Sequence, residues 1–169
     1  MRIVVSDSRC LIDPRNVSLL DTFLRLTYEF LISTTLFEEE PLRFTAVQKK
    51  TLVCSGLKSM DLPGERVLRV QAVVPKIQQL SVQDGFAFAL TESKPGYILL
   101  AEVDRLRALA TQHEMEVHGV LWALEEIQRN RLATATTLLC ALRVFSADPT
   151  VRLPRREVDA YIKRYESMK

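Results

Sequence analysis

Short apolar runs and apolar positions at helical spacing alternate along the chain. "RIVV" (2–5) is a β-branched run closed by Ser6-Asp7, the pattern of a buried strand. Val17, Leu20, Phe23 and Leu24 then recur near helical spacing and predict a helix over about 14–26. "YEFLIS" (28–33) predicts a second strand, and "TTLFEEE" a helix capped by Thr34 or Thr35. "RFTAVQKKTLVCSG" (43–56) is compatible with a helix that Gly56 stops. "DLPGERVLRVQAVV" offers Asp61 as cap and a helix from near Pro63, which Pro75 ends.

Ser81-x-x-Asp84 has the form of a capping box before "GFAFALTES". Phe86 and Phe88, two apart on that helix, cannot share a face. A strand over 97–100, a helix over 103–112 and a short strand in "MEVHG" (115–119) follow. The segment 120–130 is amphipathic, with Leu121, Leu124 and Ile127 inward and Glu125, Glu126 and Arg129 outward. Helices over about 134–145 and 154–167 close the chain. Strands alternating with helices imply parallel pairing through right-handed crossovers. The expected fold class is α/β, a three-layer α/β/α sandwich around a mainly parallel sheet with a helical C-terminal extension. One domain over 1–169 is expected, its core at about 2–130 and its C-terminal helices at about 131–169.

Composition changes this picture little. The chain is 47% hydrophobic and 26% charged, ordinary for a globular protein. No apolar run reaches the ~18 residues of a membrane span, and Asp7 breaks the N-terminal run too early for a signal peptide. Cys10, Cys54 and Cys140 are widely spaced and odd in number, so neither a disulfide framework nor a cysteine metal site follows, and the cytoplasm is the expected compartment. A net charge of +2 argues neither for nor against nucleic acid. Residues 150–169 carry six Lys/Arg against three acids, a solvated helix face. The five glycines form no phosphate-cradling loop, so no nucleotide cofactor is expected. His113 and His118 lack a cysteine or serine partner for a nucleophilic triad, and Trp122 is assigned to core packing.

Chemistry concentrates at the strand ends, where open parallel sheets bind ligands. Asp7 directly follows the first strand; Glu38, Glu39 and Glu40 lie a turn beyond the second; Asp84 begins the helix before the strand at 97–100. Glu102 and Asp104 come just after that strand. Gathered at one sheet edge, such carboxylates repel unless protonated or holding a cation, and all-oxygen donors suit Mg²⁺ or Mn²⁺. Each has a plainer role too: Asp7 can cap its loop, and Asp84 can be the capping-box partner of Ser81.

The stretches "IVVSDSRCLID", "LISTTLFEEE", "LSVQDGFAFALTES", "ILLAEVDRLRALA" and "EVHGVLWALEEI" stand in the order and spacing of a PIN domain. The chain resembles the prokaryotic PIN proteins grouped with VapC-type toxins, over residues 2 to about 130. That resemblance implies a metal-dependent ribonuclease acting on RNA, using Mg²⁺ or Mn²⁺, with an antitoxin as partner or a second copy in a homodimer. The helices after Pro14 and around 46–73 are the candidate partner faces. Carried over by position, the acids fall on Asp7, Glu39 and Asp84, with Asp104 or Glu102 nearby. Ser8, Arg9, Arg105 and Arg107 fall where RNA is contacted. The pattern's fourth aspartate falls on Val103 and its threonine on Ala101. Valine cannot hold a cation. An alternative is therefore a catalytically impaired PIN domain that binds RNA or protein.

Overall fold

The computed structural model describes residues 2–7, 10–11, 18–39, 44–151 and 153–168, the side chain of Glu39 excepted. Five strands form one sheet: β1 (Arg2–Ser6), β2 (Tyr28–Ser33), β3 (Lys58–Met60), β4 (Ile98–Leu100) and β5 (Glu116–His118). Every pairing is parallel, in the order β3-β2-β1-β4-β5. From β1 the chain works outward to β3, then crosses back to β4 and out to β5. The boundary between β1 and β4 is therefore the topological switch point, where a crevice opens at the strands' carboxyl ends.

Among the described residues the helices are α1 (Leu20–Leu24), α2 (Thr34–Glu39), α3 (Ala46–Cys54), α4 (Gly64–Val73), α5 (Val82–Glu92), α6 (Asp104–Gln112), α7 (Val120–Arg129), α8 (Ala135–Ala147) and α9 (Arg155–Glu166). The strand period of two assigns neighbouring residues to opposite faces. Val4 pairs in register with Phe30 and Ile98, all in one core cluster, whereas Val5 and Leu31 join a second with Leu90 of α5. Phe23 of α1 packs on Phe30 at 4.4 Å between ring centroids, and Trp122 of α7 on Tyr28 at 5.5 Å. So α1 and α7 cover one face and α5 the other, the expected three layers. Phe88 is buried and Phe86 only partly so, as their spacing demands.

Local expectations needed four corrections. Ser33 caps α2, its Oγ accepting the Leu36 N–H at 3.2 Å, so neither Thr34 nor Thr35 holds the place of the first side-chain acceptor. Pro63, not Asp61, is the N-cap of α4. Gly56 does stop the helix, its φ of +106° turning the chain out of α3, but the strand β3 that follows it was not predicted. Glu126 points inward: it is 5% exposed and accepts a 2.8 Å hydrogen bond from the Tyr28 hydroxyl and another from Arg129. The predicted helix start near Pro14 lies outside the described residues.

Candidate active site at the switch point

β1 delivers Asp7 to the crevice. The Asp7 amide donates to the Leu100 carbonyl at 3.1 Å, so the first residue past β1 is still pinned to β4. Its carboxyl is 4% exposed; Oδ1 accepts the Cys10 N–H at 2.8 Å, and Oδ2 is buried with no hydrogen-bond partner among the described residues. Burial pushes the Asp7 carboxyl up to about 6. Bonds from Cys10 oppose that rise, the charge of Asp84 adds to it, and the Glu102 backbone amide lowers it.

Asp84 is the capping-box partner of Ser81. At the third position of α5 its Oδ2 accepts the Ser81 N–H at 3.0 Å, while its own N–H donates to Ser81 Oγ at 3.0 Å. This reciprocal cap fixes the carboxylate where its charge acts on Asp7. Two carboxylates 77 positions apart (84 − 7) thus share one electrostatic environment.

Glu39 closes α2 beyond β2, and its side chain lies outside the described residues, as do Glu40, Ser8 and Arg9. Glu38 is exposed and pairs with Lys49 at 3.6 Å. Val103 is the N-cap of α6, half-buried against the core. Glu102 lends its backbone amide to Asp7 but sends its carboxylate elsewhere, to the Val120 N–H at the start of α7. A Cβ on Gly119 would collide with that carboxylate and lie 3.0 Å from Arg107 Nη1. Arg107 also donates to the Ala101 carbonyl at 3.0 Å, and Arg105, exposed, donates to the Gln78 carbonyl.

Glu102, Asp104, Arg107 and His118 line a cavity of about 610 Å³ just beyond the switch point. The cavity was invisible to sequence reasoning because three separate stretches, 102–107, 118–122 and 153–161, line it. Two local signals existed: Asp7 and Cys10 at the spacing of a side-chain-to-backbone turn, and His118 and Trp122 at i, i+4 around Gly119.

As a cation site, the crevice offers carboxylate oxygens, the donor type that Mg²⁺ and Mn²⁺ take. Asp7 Oδ2, without a hydrogen-bond partner among the described residues and under the charge of Asp84, fits that chemistry. Among the described residues no three His, Cys, Asp or Glu side chains converge as a complete ligand set.

The all-parallel five-stranded sheet, with helices on both faces and Asp7 at its switch point, defines an α/β protein. The chain belongs to the PIN-domain family: the family model described as "DUF3368: PIN domain" matches residues 3–167. No curated protein matches the chain. Among the described residues no helix is long and apolar enough to cross a membrane.

Proposed function

We propose that this PIN-domain protein is a metal-dependent endoribonuclease, the toxin of a toxin–antitoxin pair. The observation that carries the proposal is the buried Asp7 Oδ2, without a hydrogen-bond partner among the described residues and set beside the charge of Asp84 at the switch point. Asp7, Glu39 and Asp84 would hold Mg²⁺ or Mn²⁺, which when bound lowers the pKa of a water and neutralises phosphodiester charge. The chain's own residues set the stage: Cys10 and Glu102 orient the Asp7 carboxyl through backbone amides, and Ser81 holds Asp84. Ser8, Arg9 and Arg105 contact RNA phosphates, and Arg107 contacts the RNA from the wall of the adjoining cavity. The toxin role rests on the resemblance to VapC-type proteins. Val47 and Val53 on α3 and Leu68 on α4, all more than half exposed, support an antitoxin or second copy docking there.

A second reading is a PIN domain that binds RNA or protein with little cleavage. Val103 supports it, as does the Glu102 carboxylate committed to the α7 N-terminus.

Cleavage of structured RNA in Mn²⁺ tests both. Wild type is expected to cut and Asp7→Asn to lose roughly a hundredfold or more, the scale of a lost metal-site group. Equal activity of the two proteins would end the metal mechanism. Val103→Asp is expected to change the rate less than twofold if the site is complete; a gain of about tenfold or more favours the impaired reading.

A further inference from the structure

The cavity beside the switch point is not accounted for by metal chemistry. Glu102 ties the two together, since its backbone amide serves Asp7 while its side chain lines the cavity. A volume of about 610 Å³ is within the range of small-ligand sites.

Its lining has a defined chemistry. His118 stacks on Trp122 with centroids 4.4 Å apart and planes 10° from parallel, while Trp122 is braced at a tilt by Tyr28. Glu116 holds the His118 ring through a 2.9 Å contact with Nε2. Tyr161 of α9 adds a further ring to the wall. Charges in the wall oppose one another. Glu102, Asp104 and Glu157 are acidic, whereas Arg107 is cationic, and Gly119 and Pro154 place the N-terminal ends of α7 and α9 there. An anion meets the three carboxylates, and a cation meets Arg107 and two helix N-termini. A neutral, flat ligand carrying both donors and acceptors suits all of these groups.

We propose that the cavity is a subsite for a guanine base of the RNA strand, flanking the phosphodiester held at Asp7; this rests on the ribonuclease reading above. Guanine presents adjacent N–H donors on its Watson–Crick edge, matched to a carboxylate, and O6 and N7 acceptors matched to an arginine. Adenine, cytosine and uracil each lack part of that set. Unpaired bases in RNA recognition stack on aromatic rings, histidine included.

Trp122 is the chain's single tryptophan, so its emission reports on the cavity directly. Titrations of the full chain in EDTA keep cleavage and metal binding out of the measurement. GMP is expected to quench saturably and to bind roughly tenfold or more tighter than AMP, CMP or UMP, with inorganic phosphate inert. A 2′-O-methyl ApG dinucleotide, resistant to cleavage, is expected to bind tighter than GMP. The double variant Asp104→Asn/Glu157→Gln is expected to weaken GMP roughly tenfold with unchanged circular dichroism. No saturable quench, or equal affinity for all four bases, overturns the subsite. GMP binding without gain from the dinucleotide overturns the RNA assignment in favour of a free nucleotide. Guanine selectivity in EDTA with no cleavage in Mn²⁺ supports the subsite and overturns the nuclease reading instead.

Discussion

Asp7 has one oxygen bonded and the other buried without a partner among the described residues, and that asymmetry makes its stability effect depend on pH. Its folded pKa of about 6 lies above the ordinary 3.8, so the folded state prefers the protonated acid. That preference stabilises the fold fully below pH 4 and is lost as pH rises through 6. Above pH 7 the ionised group costs about 1–3 kcal/mol in the metal-free protein. Denaturation in chelator should find Asp7→Asn more stable than wild type by about that amount at pH 7.5, and the gap should close below pH 4. Adding Mn²⁺ should raise the melting temperature of wild type alone. A gap independent of pH would contradict the assignment of burial as its cause. Tyr165 offers a simpler case. It is fully buried, its hydroxyl has no hydrogen-bond partner among the described residues, and burial pushes it up to about 12. Tyr165→Phe deletes that stranded group without a cavity, so urea unfolding should show it neutral to about 1 kcal/mol more stable.

Among the elements, the start of α7 brings a glycine against two charged side chains near the site. Gly119 lies beneath Glu102 and Arg107, and the Glu102 carboxylate caps the helix at Val120. Gly119→Ala should swing the ends of Glu102 and Arg107 aside and cost about 0.5–1.5 kcal/mol in thermal or urea unfolding, the scale of a lost helix cap at Val120; an unchanged midpoint would show that the cap contributes nothing. The same junction marks the limit of sequence reading. Strong local signals, such as the Ser81–Asp84 box and the run 28–33, match α5 and β2 to within a residue. β3 was lost because Lys58 and Ser59 are exposed on an edge strand of three residues, leaving no alternation to detect. Glu126 was misplaced because its partner, Tyr28, is 98 residues away. A pattern along one helix cannot reveal a hydroxyl on another strand.

For the molecule as a whole, the sheet order decides what meets at the crevice. The parallel pattern was enough to anticipate that Asp7 ends a strand at the crevice, where the charge of Asp84 acts on it. It was not enough to anticipate the cavity, whose walls come from the ends of β4 and β5, the first turn of α7 and the C-terminal α9. In sequence α9 shows only a basic amphipathic tail. In the fold it packs on α8, with Arg143 pairing with Glu166, and brings Glu157 and Tyr161 to the cavity wall.

Both outer strands of the sheet, β3 and β5, are three residues long and carry ionisable or polar side chains: Lys58 and Ser59 on one, Glu116 and His118 on the other. Their open backbone ladders are too brief and too well hydrated to recruit a neighbouring molecule by strand addition. Molecules with such edges resist growing into ribbons side by side.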